Sequence, residues 1–406
     1  MAVESRPGAD LATAAKPPLG LVLMLGTLTA LGPLAIDMYL PALPLIAKDF
    51  GASDASAQRT VTFFLAGLCL GQLVYGPLSD RFGRRGPILI GIGLYLLGTA
   101  GCLLAPSMTV LTIARVVQAL GACAGMVLSR AVVRDRFKAS EILHVLSLLM
   151  LVMGLAPILA PMLGAWLLLV GDWRLIFGFQ LLAAVVIGAA VLFGLSETRS
   201  AETAALARGE NPIASYVRLL SKRRLIAFLI AGAFSGAVLF TYIASAPDVV
   251  MVQHHVSAQV FSWIFSANAV AIIGATQVNA WLARRWPGDL ILRRALAFAL
   301  VIALLLLGAA ASGFGGLLAI GASLFLILGS YGFTQSNTQA EALKVDASRA
   351  GSVSALTGAA SFGAGAIASG VASLVRDGTP VPMAAVMAGS LAIALLALWR
   401  LAPLRR

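Results

Sequence analysis

Gly76-Pro77-Leu78-Ser79-Asp80-Arg81-Phe82-Gly83-Arg84-Arg85-Gly86 is the stretch that decides the fold. It carries three arginines and stands between apolar runs at 58–78 and 87–106. A helix needs about 20 largely apolar residues to cross a bilayer. Two such runs joined by so short a charged link read as two antiparallel spanning helices meeting in a tight turn. Gly83 can supply the positive φ of that turn, and Asp80 can pair with the arginines or cap the next helix. A basic loop between two spans belongs on the cytoplasmic side of a membrane.

Outward from this turn the pattern repeats. Apolar runs at 19–39, 58–78, 87–106, 109–133, 143–170 and 174–195 predict six spans, and runs at 223–245, 256–283, 289–311, 315–338, 350–374 and 380–402 predict six more. The runs are continuous rather than alternating, which excludes a β-barrel. Internal Gly and Pro are tolerated in membrane helices. Hydrophobic residues make up 60% of the chain and charged residues 11%, less than half the charged share of a soluble domain. An all-α integral membrane protein of twelve helices follows, with the lipid bilayer as its solvent.

The net charge of +12 would point to nucleic acid in a soluble protein. Here the basic residues fall in short clusters between apolar runs, so no nucleic-acid partner is expected. With both tails and the even-numbered gaps on one side, that side holds 23 of the 29 Lys and Arg, against Lys48, Arg59, Arg174 and Arg376 on the other. Both termini are therefore placed in the cytoplasm. Arg115 and Arg130 lie within spans. The polar stretch 1–18 is read as a cytoplasmic tail; the run behind it is too long for a signal-peptide core, so the first helix is expected to be retained. The charged stretch 196–222 divides the chain into six-span halves, 19–195 and 223–402, and 403–406 forms a short C-terminal tail. Equal halves joined by a linker describe a duplicated transporter. Cys69, Cys102 and Cys123 all fall in apolar runs without metal-binding or disulfide spacing.

Ionisable residues inside spans are functional candidates because they are costly there. Asp37 lies about 27 Å along the first span and Arg115 about 9 Å from the far end of the fourth, so the two can share a depth. A desolvated Asp37 is a candidate proton carrier, with a neighbouring Arg115 opposing protonation. The alternative is a helix-end aspartate accepting backbone hydrogen bonds before Pro41. Arg130, near the inner end of its span, can snorkel to the interface. The second half offers amides, Asn268 and Asn337 among them, which can bind substrate or join helices. Tyr39, Phe64, Tyr242, Phe362 and Met126 are candidates to line an apolar pocket, or else pack.

At the turn, Gly76, Asp80, Arg81, Gly83, Arg84 and Arg85 resemble, position by position, the loop signature of the major facilitator superfamily. That resemblance implies a cytoplasmic latch between the two halves, made by Asp80 and Arg81. Arg115-Val116-Val117-Gln118-Ala119-Leu120-Gly121 resembles the fourth-span signature of proton-coupled members, with Ala119 in place of glycine, and implies coupling roles for Arg115 and Gln118. Gly154-Leu155-Ala156-Pro157-Ile158-Leu159-Ala160-Pro161-Met162-Leu163-Gly164 resembles the antiporter signature, with Ala156 before Pro157 and Ala165 after Gly164. Pro157 and Pro161 will kink that helix. More narrowly, Ala35 to Pro44, Arg130 to Asp135, Tyr242 to Pro247 and Ala350 to Gly358 resemble the bicyclomycin-resistance (Bcr/CflA) multidrug exporters. Asp37 is the one acid in the first span, where some relatives carry a second.

The resemblance implies a drug:proton antiporter of the bacterial inner membrane, driven by the proton gradient, with no cofactor or metal and no second subunit required. A proton-driven importer of a metabolite on the same fold is the alternative. Enzyme motifs such as HExxH and GxSxG are absent, as is the phosphate loop of an ATP-driven pump. His254 and His255 are adjacent in an outer loop.

Overall fold

The computed structural model describes residues 19–200, 212–346 and 349–403, apart from the side chains of Ala139, Ser140, Leu143 and Pro212. The N-terminal tail 1–18, linker residues 201–211 and residues 404–406 of the C-terminal tail lie outside the described residues, as do 347 and 348. Among the described residues, twelve helical segments are long and apolar enough to cross a membrane.

The first span is α1 (Leu19–Asp37), a 3-10 turn (Leu40–Ala42) and α2 (Leu43–Asp49). Spans two to six are α3 (Asp54–Phe82), α4 (Arg85–Leu103), α5 (Met108–Arg136), α6 (Ala139–Val170) and α7 (Arg174–Gly194). A short linker helix, α8 (Pro212–Leu220), follows. The second half begins with α9 (Arg223–Pro247), which a π-helical stretch extends to Gln253. It continues through α10 (Ala258–Leu282), α11 (Gly288–Ser312), α12 (Gly316–Val345), α13 (Ala350–Leu374) and α14 (Val381–Leu401).

All twelve expected spans are present, and their ends differ from the apolar runs for local reasons. The first span does not stop at residue 39. Pro41 has no N–H for the Asp37 carbonyl and Pro44 none for that of Leu40, so the helix breaks after Asp37 and resumes at Leu43. The seventh span runs through Pro247 to Gln253 in the same way. Elsewhere caps set the ends: Ser53, Ser107 and Ser257 accept from the backbone N–H three residues on and start α3, α5 and α10.

Each half is held by its own helices. In the first, α5 packs against α1, α3 and α4, while α1 leans on α6. In the second, α9 packs against α12, α13 and α14. The halves meet along two seams, α3 with α13 and α6 with α10. Spans one, four and seven are the most enclosed, and span nine exposes the most surface.

Candidate functional site

Arg115 is fully buried. Its guanidinium lies between the rings of Tyr39 and Phe64, with Cζ 4.4 and 4.2 Å from their centroids. One Nη donates to the Ala35 carbonyl at 2.8 Å and to Gln118 Oε1 at 2.6 Å. Gln118, one turn further on, donates to Thr99 Oγ1 and Gln180 Oε1, each at 2.9 Å, and Gln180 donates to the Leu34 carbonyl at 3.3 Å. Tyr39 is itself fixed by a 2.9 Å hydroxyl contact with Thr60. Nε and the second Nη of Arg115 have no partner among the described residues. A buried cation is costly unless paired; here two aromatic faces, a carbonyl and an amide take the place of a carboxylate.

Asp37 does not pair with Arg115. It is buried at the last residue of α1, and among the described residues no hydrogen bond or ion pair reaches its carboxylate. The expected backbone hydrogen bonds of a capped helix end are likewise missing. Arg115 grips the chain two residues earlier, at Ala35, and Asp37 stands at the edge of the break. There the 3-10 turn touches α6, α9 and α10, so Asp37 stands where the two halves meet.

The antiporter-like stretch of α6 builds the wall beside it. A Cβ on Gly164 would collide with the Met38 carbonyl, so the break after Asp37 lies directly on this glycine. At Gly154 a Cβ would meet the Ile273 side chain of α10 at 3.4 Å. Pro157 and Pro161 sit inside the helix and leave the Met153 and Pro157 carbonyls without their usual donors. Between and beyond them α10 supplies side chains: Ser266 donates to the Ile158 carbonyl at 2.7 Å, Ser262 to that of Pro161 at 2.9 Å, and Gln259 to that of Ala165 at 3.4 Å.

The candidate pocket residues are not one cluster. Tyr39 and Phe64 enclose Arg115, and Met126 of α5 packs on Gly32 of α1. In the second half, Asn268 donates to the Tyr242 hydroxyl at 2.9 Å, and the Tyr242 ring stacks on Phe265 at 5.3 Å. Phe362 lies 5.1 Å from Phe240. Asn337 is apart from all of these: its amide donates to Asn279 Oδ1 at 2.6 Å and to the Phe333 carbonyl, tying α12 to α10.

The turn between α3 and α4 is closed by the linker. Gly83 has φ 95°, and a Cβ there would run into the Glu197 carboxylate. Arg84, nearly buried, bonds Asp80 at 2.5 Å, Ser79 at 2.7 Å and Asp135 of α5 at 2.7 Å. Arg85 reaches the Leu192 carbonyl of α7. Of the two residues expected to form the latch, Asp80 bonds Arg84 and the exposed Arg81 lies over the ring of Phe82; among the described residues neither bonds the second half. Gly76 meets no neighbour at its Cβ position.

Two linker residues that the sequence reading passed over complete the turn. Glu197 accepts from the backbone N–H of Arg84 at 2.8 Å and of Arg85 at 3.2 Å, capping α4. Arg199 donates to the Asp80 and Arg81 carbonyls at the end of α3. An acid at a helix N-terminus and a base at a helix C-terminus both oppose the end charges of their helices. Partial burial works against ionisation of Glu197, but its four backbone donors outweigh it and hold the carboxyl below the usual glutamate range. The acid-x-base pair directly after a span was the signal available in the sequence.

At the opposite end of the bundle Arg376 bridges the halves. It bonds Asp248 at 2.6 and 2.9 Å and Asp54 of α3 at 3.1 Å. Gln58 with Ser245, Thr62 with Ser369, and Ser373 with the Ala55 carbonyl add contacts at 2.9, 3.0 and 3.1 Å. The halves are therefore fastened together at the end away from the arginine-rich turns.

Comparison with known proteins matches this arrangement. The chain is 36% identical over 375 residues to an uncharacterized MFS-type transporter, YdgK, of Bacillus subtilis, covering 91% of this chain and 92% of that one. It is 31% identical over 377 residues to the bicyclomycin resistance protein homolog of Haemophilus influenzae, covering 93% and 94%. Multidrug resistance protein D of Escherichia coli is 33% identical over 181 residues, 45% of this chain and 46% of its own. Among solved structures, the xylose transporter XylE of E. coli, in a partially occluded inward open conformation, superposes with a TM-score of 0.72 at 15% identity, covering 95% of this chain and 98% of its own. The family model described as Major Facilitator Superfamily matches residues 25–369. Twelve spans in two joined halves, the closed basic turn and this match lead to one conclusion: the chain belongs to the major facilitator superfamily and is a membrane transporter, not an enzyme.

Proposed function

We propose that this transporter exports small amphipathic drugs or drug-like metabolites in exchange for protons, by alternating access between its two halves. The carrying observation is Asp37: a buried carboxylate without an ion-pair partner among the described residues, at a helix break on the seam of the halves. An acid so placed is the kind of group that proton-coupled transporters use. Arg115, fixed two residues earlier on the Ala35 carbonyl of the same helix, supplies a positive charge within the same half. Gln118 holds the guanidinium in place as a positioning residue. A proton on Asp37 and a bound substrate near Tyr242 then compete for the same junction, and rocking of the halves carries one out as the other comes in. The names of the H. influenzae and E. coli relatives support drugs as the substrate class.

The transporter is placed in the bacterial inner membrane, with both termini in the cytoplasm on the strength of the Lys and Arg asymmetry. It works as a monomer and uses the proton gradient in place of a cofactor.

The test is proton release in inverted vesicles. Vesicles are acidified by respiration, candidate drugs are added, and lumenal pH is followed by dye fluorescence. Wild type should release protons on drug addition, and Asp37→Asn should abolish that release while inserting and folding normally. Undiminished release in Asp37→Asn would remove Asp37 as the carrier, and drug-driven proton uptake instead of release would reverse the direction.

A further inference from the structure

The second half carries a groove that the transport reading does not use. Helices α10 and α11 are joined by the turn 283–287, then diverge, and α12 forms the floor between them. The space encloses about 740 Å³, within the range of small-molecule sites. Its walls are apolar, with Val270, Phe298, Phe325 and Phe333 prominent, and it opens on the outer surface of the bundle. On α10 the residues that meet α6 (Gln259, Ser262, Ser266, Ile273) and those lining the groove (Ala271, Gly274, Ala275) occupy different faces. The groove is thus separate from the seam between the halves.

Arg294 lines the groove, and Arg284 and Arg285 stand in the adjoining turn 283–287, next to the lining residue Trp286. Arg284, Arg285 and Arg294 are exposed, and among the described residues none of them forms an ion pair with a carboxylate. Arg293 differs, being committed to Asp289 and the Ala402 carbonyl. Arg294 lies 5.3 Å over Trp286, which itself lines the groove, and Arg285 lies 4.7 Å over Trp281. Tryptophans mark the headgroup level of a membrane protein. Arg294 stands about 9 Å into α11, from which its side chain can reach that level along its own stem. Uncommitted arginines above an apolar slot match one chemistry: a phosphate-bearing anionic headgroup with a hydrocarbon tail.

We propose that this groove binds an anionic phospholipid of the leaflet at the arginine-rich end, its phosphate on Arg285 and Arg294 and one acyl chain between α10 and α11. The test is native mass spectrometry of the purified transporter titrated with phosphatidylglycerol or phosphatidylethanolamine of the same acyl chains. Wild type should retain phosphatidylglycerol in preference, and Arg285→Gln with Arg294→Gln should erase the preference, about fivefold for each arginine. A Cβ at Gly274 meets no atom within 4 Å, so Gly274→Trp should fit and remove the retained lipid by filling the slot. A phosphatidylglycerol bearing a diazirine in its tail, crosslinked to the wild-type protein, should label residues 270–298 and 325–333, an outcome that needs no variant to fold. Equal retention of both lipids by wild type, labelling elsewhere, or retention unchanged in both variants would overturn the proposal. A dimer that falls apart in Gly274→Trp would assign the groove to a second copy of the chain and overturn it equally.

Discussion

A side chain at residue 164 would begin where the Met38 backbone already lies: a Cβ there falls inside contact distance of the Met38 carbonyl. The break after Asp37 and the proline-containing helix α6 are therefore in register, and movement of one displaces the other. Gly164→Ala should cost roughly 1–3 kcal/mol, as overpacking does, and should lower drug-coupled proton release. Gly154→Ala, whose Cβ meets only the tip of Ile273 at 3.4 Å, should be near neutral. Thermal unfolding and the vesicle assay on both variants check this; equal effects at the two glycines would refute the coupling of Met38 to α6.

Arg115→Lys keeps the charge and loses the plane. A guanidinium sandwiched by Tyr39 and Phe64 gains from both faces, at roughly 0.5–2 kcal/mol for each cation–π contact, whereas an ammonium cannot stack while also reaching Ala35 and Gln118. Transport rate should drop by about tenfold or more for a lost 1.4 kcal/mol, with the protein still folded. Vesicle transport measured beside a thermal unfolding curve separates the two.

Arg376→Gln should loosen the far end of the bundle. Arg376 is the charged tie between Asp248 of the second half and Asp54 of the first. Loss of a charge-assisted bond of about 1.5–3 kcal/mol should raise the share of molecules open at that end by about tenfold or more. Spin labels at the exposed Lys48 and Val375, read by pulsed dipolar spectroscopy, should show a longer distance gaining weight. An unchanged distribution would mean that the uncharged contacts of Gln58, Thr62 and Ser373 hold the seam alone.

Glu197 gives a pH dependence with a definite sign. Its backbone donors hold the folded carboxyl below the ordinary glutamate value, so the cap contributes fully above that value and is lost as pH falls through the folded one. Wild type should lose thermal stability on the acid side in excess of Glu197→Gln, and at neutral pH the variant should be weaker by about 1 kcal/mol, the usual scale of a helix cap. Unfolding midpoints from neutral to strongly acidic pH measure the difference, and parallel curves would mean that Glu197 does not cap α4 in solution.

The spans were legible because the bilayer demands long apolar runs, and only helices of one length range satisfy it. Their ends were less so. Residues 40–49 contain two prolines and lie beyond the predicted run, yet the chain resumes a helix at Leu43 with Leu43, Ile46 and Ala47 buried. Arg115 was legible as a charge within a span, and Gln118 only through the resemblance of residues 115–121 to the fourth-span signature; the two bond because positions three apart share a face. The separation of Asp37 from Arg115 was not, because depth alone says nothing about direction. Asn337 shows the ambiguity of membrane amides: the side chain that could bind a substrate is spent on Asn279. The reach of Glu197 back to Arg84 depends on six helices being in place, which no local pattern encodes.

That reach has a consequence during synthesis. Arg84 and its cap lie 113 residues apart, so at ~5–20 residues per second the ribosome delivers Glu197 about 6–23 s after the turn it closes. Through that interval the start of α4 has bare N–H groups, and Arg199 has not yet covered the carbonyls of α3. The first half can be complete only when translation has passed residue 199, by which time its six helices have all been made. A nascent chain stalled just after Gly194 holds every span of the first half and still lacks the two residues that close the turn between α3 and α4.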